Sequence, residues 1–200
     1  MNSANNLSSL AAINMGLTFR GSLKQAAKGA VAVVQMKDAG SGSLNSGYGL
    51  ARIDDLEVAQ RYFLKAGDLV FRSRGFQNSF SLVTAQLGVA VTIAPMMFLR
   101  IHNPSQILPA YLHWWLNRPA TQKLINERAQ GGTINMIPAG ALADLPVAVP
   151  SMDQQHAIVS VAKLSLMEQR LLQQIDEKRR ALVDTQLCKS IFTRGASNGD

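Results

Sequence analysis

The sequence predicts a mixed α/β (α+β) protein in which one sheet-rich domain is followed by a single long C-terminal helix. Three observations indicate this architecture. Short β-branched apolar runs separated by turn residues fill the middle of the chain, as is typical of strands. Pro109 then opens a pair of helical patterns. Finally, residues 151–194 contain neither proline nor glycine, and apolar residues recur there at helical spacing.

Composition and charge favour a globular protein with an anionic partner. The 200 residues are 47% apolar, which argues against intrinsic disorder. Residues 1–150 carry 13 Lys and Arg against 7 Asp and Glu, whereas residues 151–200 carry 7 against 6. A basic excess on the globular part favours nucleic acid as partner. With one cysteine, no basic leader and no run of about 18 apolar residues, we expect a cytoplasmic protein without disulfides or membrane spans.

The strands can be assigned in chain order. Residues 1–29 are polar and then weakly amphipathic, and they predict no regular element. Strands are predicted at 30–36, 69–71, 79–84, 88–93 and 96–101. The stretch 40–49 is rich in Gly and Ser and is predicted as a surface loop, whereas 53–64 is compatible with a short helix or an irregular connection. Helices are predicted at 110–117 and 120–129, followed by a short turn around 139–144.

The long C-terminal pattern predicts one helix with its own start and stop signals. Ser151 and Gln154 form an S-x-x-Q capping box, and Gly195 marks the end. From residue 154 to 191 this helix would extend roughly 57 Å at about 1.5 Å per residue, which exceeds the width of a small domain. A symmetric dimer would bury its apolar stripe. The alternative is a packing element within one monomer. The predicted dimerisation residues are Ile158, Val161, Leu164, Leu171, Ile175, Leu182, Leu187 and Ile191.

The stripe on this helix is not an unbroken heptad repeat. Lys178, Arg179 and Arg180 interrupt it. We therefore expect a short or irregular coiled-coil contact, with these basic residues on a face towards solvent, a partner or DNA.

Several stretches, taken in order, resemble a known family. They are VVQMKDA (33–39), LKAGDLVFRSRG (64–75), ILPAYLHWWLN (107–117), GGTINMIPAGALADLPVAVPS (131–151) and DQQHAIV (153–159). In order and spacing they resemble the target-recognition half of the specificity (S) subunit of type I restriction–modification enzymes. The resemblance covers the chain from about residue 16 onward.

The resemblance implies a DNA-recognition domain at 1–150, a dimerisation or spacer helix at 151–194 and a flexible tail at 195–200. A full-length subunit of that family resembles two such halves in tandem, held apart by antiparallel helices, whereas this chain resembles one half. It implies double-stranded DNA and the modification methyltransferase as partners, the restriction subunit as a further candidate, and a homodimer. Methylation and cleavage would belong to partner subunits, so no cofactor is expected here and S-adenosylmethionine only on the methyltransferase. The alternative is a truncated half that acts only as a protein-interaction module.

Candidate DNA contacts are basic and carboxamide side chains near strand ends and turns. Arginine bonds guanine in bidentate fashion and Asn or Gln bonds adenine, whereas phosphate contacts mainly set position. The first candidate is the loop that follows the strand at 69–71. The predicted contacts are Arg72, Ser73, Arg74, Gln77 and Asn78 in this loop, and Arg20, Lys24, Lys37, Arg52, Thr133 and Asn135 elsewhere. Each of these also fits a solvated surface residue.

No motif predicts an enzyme. His102, His113, His156 and Cys188 lack the spacing of a zinc site, so no metal is expected. Neither a G-x-G-x-x-G loop nor a P-loop occurs. The carboxylates of Asp153, Asp176 and Glu177 lie along one predicted helix, where they would not converge on a metal. An autonomous nuclease or methyltransferase is therefore the weakest alternative.

Overall fold

A computed structural model of the protein describes residues 4–18, 29–54, 58–73, 78–129 and 136–194. The strands of this part are Ala4–Asn6 (β1), Ala11–Met15 (β2), Val31–Val34 (β3), Ser43–Leu44 (β4), Ala51–Ile53 (β5), Leu69–Arg72 (β6), Ser79–Val83 (β7), Ala90–Thr92 (β8), Met97–Ile101 (β9) and Pro146–Ala148 (β10). The α-helices are Leu7–Leu10 (α1), Pro109–Asn117 (α2), Pro119–Glu127 (α3), Ala139–Ala143 (α4) and Met152–Arg194 (α5), and 3₁₀ turns occur at Gln60–Tyr62 and Ala85–Leu87. The predicted mixed α/β class with a long C-terminal helix is confirmed.

The strands form two sheets and a separate pair. The larger sheet has the order β2-β9-β6-β7-β4, antiparallel except for β4 and β7. The smaller sheet has the order β5-β3-β8, with β3 and β8 parallel, and β1 pairs with β10. All four residues of β3 are buried, as expected for a strand covered on both faces. In the larger sheet Phe71 stacks on Phe80 with 4.4 Å between ring centroids.

The N-terminal segment differs from the prediction. It forms β1, α1 and β2, although its polar composition indicated no regular element. Their partners are β10 and β9, which follow more than 80 residues later, so these strands depend on pairing rather than on local pattern. The predicted loop at 40–49 contains the short strand β4, which pairs with β7 for the same reason. The region 53–64 contains the end of β5 and a 3₁₀ turn.

The start of α5 follows the predicted capping box. The Ser151 amide donates to Oε1 of Gln154 (3.2 Å), and the Gln154 amide donates to Oγ of Ser151 (3.4 Å). The neighbouring Gln155 is completely buried, although a glutamine is normally exposed. Its Oε1 accepts from the Leu108 amide (2.8 Å), and its Nε2 donates to the carbonyls of Gln106 and Pro150 (3.0 Å each). This side chain ties the first turn of α5 to the loop that precedes α2.

The chain divides into two compact units, Met1–Ala157 and Ile158–Asp200. Within the second unit α5 continues to Arg194, and Gly195 lies outside the described residues. Six predicted dimerisation residues have between 49% and 67% of their surface exposed, and they are Val161, Leu164, Leu171, Ile175, Leu182 and Leu187. Ile158 is half-buried, and the side chain of Ile191 is outside the described part. The apolar stripe thus lies open along the helix.

Candidate nucleic-acid interface

A groove of about 450 Å³ lies in the first unit between the loop after β3, the facing ends of β6 and β7, and α3. Its polar lining comprises Ser41, Arg72, Asn78, Ser79, Asn117, Gln122 and Asn126. Two of these residues, Arg72 and Asn78, were predicted from the sequence as DNA contacts. The groove thus brings one arginine together with several carboxamides, which are the side chains best suited to read base edges.

The pairing of β6 with β7 explains why Arg72 and Asn78 meet. Arg72 lies opposite Ser79 in the antiparallel register. Asn78 directly precedes Ser79 and therefore lies at the same end of the hairpin as Arg72. The facing wall is α3, in which Gln122 and Asn126 are four residues apart and therefore share one helix face. Nδ2 of Asn78 donates to Oδ1 of Asn126 at 2.8 Å. This bond joins the hairpin end to the helix across the groove.

Asn117 holds the helical pair on the sheet. Its Oδ1 accepts from the Phe80 amide (3.0 Å), and its Nδ2 donates to the carbonyls of Phe80 (2.9 Å) and His113 (3.0 Å). Because both ends of the amide are occupied, Asn117 positions α2 against β7 and is not available to a ligand.

Two buried polar atoms of the groove have no hydrogen-bond partner among the described residues. They are Nε of Arg72 and Oδ1 of Asn78. Leaving a buried polar group unpaired costs about 1–3 kcal/mol. A ligand that offers a matching acceptor and donor would recover this free energy, and the edge of a nucleic-acid base carries such pairs of groups. The groove is therefore preorganised for polar recognition.

Three other predicted contacts have different surroundings. Ser73 is buried, and its hydroxyl donates to the Pro95 carbonyl at 2.7 Å. A buried hydroxyl that already donates cannot reach a base edge, so the structure gives Ser73 a structural role in place of the predicted contact. Arg52 donates to the carbonyls of Gly29 and Ala30 and thereby holds the entry to β3. Lys37 is exposed and borders a separate cavity of about 370 Å³.

The remaining predicted contacts, Arg20, Lys24, Arg74, Gln77, Thr133 and Asn135, lie outside the described residues. Two stretches outside the described residues, 74–77 and 130–135, contain four of these predicted contacts. Described residues next to these two stretches are hydrogen-bonded to each other. The Ile137 amide donates to the Ser73 carbonyl at 3.1 Å.

Sequence reasoning missed the other polar residues of the groove, which are Ser41, Ser79, Asn117, Gln122 and Asn126. Ser41 lies in the stretch interpreted as a plain surface loop. Gln122 and Asn126 carried a usable signal, because two carboxamides four residues apart share one face of a predicted helix. Among the described residues no group of three or more His, Cys, Asp or Glu side chains could hold a metal ion. The described helices also include none that is long and apolar enough to cross a bilayer.

His113 bonds the same Phe80 carbonyl as Asn117, and its titration leads to a prediction. Burial lowers the pKa of His113, and a hydrogen bond to the Phe80 carbonyl (2.9 Å) opposes this shift. The unfolded chain therefore binds this proton at higher pH, near 6.5, than the folded chain does. The contribution of His113 is complete above about pH 6.5 and is lost as the pH falls towards the lower folded pKa.

We expect urea denaturation to show a smaller free energy of unfolding at pH 5 than at pH 7. This loss should be reduced in His113→Gln. As a control, Asn103→Ala changes an exposed side chain that does not titrate and should keep the wild-type pH dependence. An equal loss in wild type and His113→Gln would contradict the assignment.

The chain was compared with known proteins in sequence and in structure. No protein-family model and no curated protein matches it in sequence. Solved structures do match. The S subunit of a type I restriction–modification system from M. genitalium is 17% identical with a TM-score of 0.57, over 84% of this chain and 39% of that chain. The chain has the fold of type I specificity subunits.

Two further structures agree. A chain from a study of complex assembly and conformational transition in the type I restriction–modification system is 18% identical, with a TM-score of 0.60 over 92% of this chain and 41% of that chain. The HsdS subunit from Thermoanaerobacter tengcongensis is 16% identical, with a TM-score of 0.52 over 84% and 37%. The chain thus spans about two fifths of the length of these specificity subunits.

Proposed function

We propose that this chain is the sequence-specific DNA-recognition subunit of a type I restriction–modification system. It dimerises through α5, each copy reads one half of a bipartite site, and the dimer docks the modification methyltransferase. The observation that carries this proposal is the groove in which Arg72 and Asn78 hold buried polar atoms that have no hydrogen-bond partner in the described part of the chain, beside the carboxamides of α3. The shared fold of specificity subunits supports the same role.

The chemistry of the groove favours base reading over general phosphate binding. Salt-dependent binding to the phosphate backbone comes mainly from clustered cations, whereas the described lining of this groove has one arginine among neutral amides and hydroxyls. The basic excess of residues 1–150 supplies the non-specific attraction that brings DNA to the groove. In this proposal methylation and cleavage belong to partner subunits, and S-adenosylmethionine binds the methyltransferase.

Replacing Arg72 with alanine is the direct test. We expect the affinity for the preferred duplex, identified by selection from a random library, to fall about 10- to 100-fold, because a good base contact is worth about 1–3 kcal/mol. Affinity for unrelated duplexes should change less than threefold, since one phosphate contact at most is lost. The matched control is Arg61→Ala, which removes an exposed arginine outside the groove lining. Fluorescence anisotropy at two salt concentrations measures both affinities.

The result also separates the alternative function. If Arg72→Ala and Asn78→Ala both left sequence preference intact, the groove would not be the reading site. If the wild-type chain bound a methyltransferase in a pull-down but showed no preferred duplex, it would be an interaction module. Nuclease or methyl-transfer activity of the purified chain alone would contradict both proposals.

A further inference from the structure

Two charged residues, Glu168 and Lys178, interrupt the apolar stripe of α5. Their positions indicate how two copies of the helix pair. Starting from Val161 and moving alternately three and four residues along α5, one reaches residues that form a continuous line on the helix surface, here called the seam. In chain order they are Val161, Leu164, Glu168, Leu171, Ile175, Lys178, Leu182 and Thr185. The line is apolar except for Glu168, Lys178 and the terminal Thr185.

Both charged residues are exposed and lack an ion pair among the described residues. An ion pair within α5 joins Arg180 to Asp176, at 2.7 Å on adjacent turns. Glu168 and Lys178 each lie five residues from Gln173, on opposite sides of it. The apolar positions show the same symmetry, because Leu164 and Leu182 each lie nine residues from it.

An antiparallel pair of helices centred on Gln173 therefore matches every seam position with a suitable partner. Leu164 faces Leu182 of the second copy, Leu171 faces Ile175, and the two-fold axis repeats both contacts. Glu168 faces Lys178 and forms two equivalent ion pairs. In a parallel pair in register, identical residues face each other, so Glu168 would meet Glu168 and Lys178 would meet Lys178. Like charges opposite each other oppose that arrangement.

The resemblance to specificity subunits already implies antiparallel helices; we propose that two copies pair in the register centred on Gln173, and that Glu168 and Lys178 select this register. The inference rests on the proposed homodimer and specifies its contact. The basic interruption of the stripe at Lys178 is, on this view, half of an intermolecular ion pair rather than a defect in the seam. These two charges also make the helix selective for its partner, because a helix with another charge pattern would leave Glu168 and Lys178 without opposite charges.

Reversing one charge at a time tests the pairing. Glu168→Lys places lysine against lysine at both symmetric contacts, and Lys178→Glu places glutamate against glutamate. Each variant alone should dimerise at least about tenfold more weakly than the wild type, because like charges meet twice. Mixing the two variants should restore affinity to within about threefold, since each mixed dimer again has two opposite-charge pairs. Sedimentation equilibrium of the full chain measures these constants.

The matched controls are Glu177→Lys and Lys163→Glu, which make the same charge changes on the opposite side of the helix. They should change dimerisation less than about twofold, as exposed charges outside the seam contribute little. If the mixture remained as weak as each variant alone, or if the controls weakened the dimer equally, the pairing would be wrong.

Cys188 provides an independent ruler, because it is the single cysteine of the chain and is exposed. It lies 15 residues from Gln173, so spin labels on the two copies should be about 45 Å apart at about 1.5 Å per residue. A parallel pair would bring them within about 20 Å, and a slip of one heptad would change the distance by about 10 Å. A dimer with either of these distances overturns the register but not the proposed function. A monomer at micromolar concentration overturns the homodimer itself.

Discussion

Replacing Asp68 with alanine should lower the free energy of unfolding by about 3 kcal/mol, as expected when one partner of a buried ion pair is removed. Asp68 is almost completely buried and receives Nε of Arg100 on one carboxylate oxygen (3.0 Å) and Nη2 on the other (2.6 Å). The hydrogen bond to Asp68 also raises the pKa of Arg100, although burial opposes that shift. Without the carboxylate, a partly buried cation between β6 and β9 loses its counter-charge.

Asp38 offers a matched control because its turn is built in the same way. Oδ2 of Asp68 accepts from the Lys65 amide (2.8 Å), and Oδ2 of Asp38 accepts from the Gln35 amide (2.9 Å), three residues earlier in each case. Among the described residues, Asp68 makes an ion pair and Asp38 makes none. Asp38→Ala should therefore cost about 1 kcal/mol, the value of an ordinary hydrogen bond. Equal losses for both variants in urea denaturation would show that the ion pair contributes nothing.

Replacing Gln155 with alanine should have an effect of similar size, about 3 kcal/mol, because it leaves several buried backbone groups without partners. The side chain satisfies the Leu108 amide and the carbonyls of Gln106 and Pro150 at once. We also expect faster hydrogen exchange in the first turn of α5 and in the loop before α2.

The adjacent glutamine is the control for this variant. Gln154 is exposed and takes part only in the capping box, so Gln154→Ala should cost about 0.5–1 kcal/mol. The two variants remove the same side-chain atoms at adjacent positions. Denaturant titration compares their free energies of unfolding. A loss for Gln155→Ala no larger than that for Gln154→Ala would refute the assigned role of Gln155.

Elements with a local signal were predicted correctly. β3, β7, β8 and β9 lie within predicted strands, β6 extends one residue beyond its predicted strand, and α2, α3 and α5 follow predicted helices closely. Each strand is a β-branched apolar run, and each helix is a periodic pattern with its own start signal. The local sequence is therefore enough to predict these elements. The capping box at Ser151 is the clearest example, because both of its residues lie within one turn.

The candidate site was predicted in part. Arg72 and Asn78, which line the same groove, were selected because they lie at predicted strand ends next to a turn, and their contact with DNA stays a prediction. Their groove partner Asn126 is 48 residues away from Asn78, and nothing local connects the two. The burial of Ser73 and the use of Arg52 on backbone carbonyls were equally hidden, because an arginine or serine has the same sequence signal whether it faces solvent or a carbonyl group.

The sequence by itself determined the mixed α/β class, the order of the main strands along the chain, and the long helix with its capping box and apolar stripe. These properties depend on spacing and side-chain type within a few turns of chain. Only the tertiary structure decided that β1 and β2 exist, that Gln155 is buried, and which polar side chains converge on one groove. These features depend on contacts between segments that are distant in sequence. The entropy cost of closing the loop between two such segments is offset only by contacts in the folded chain, so the local sequence does not indicate which segments will meet.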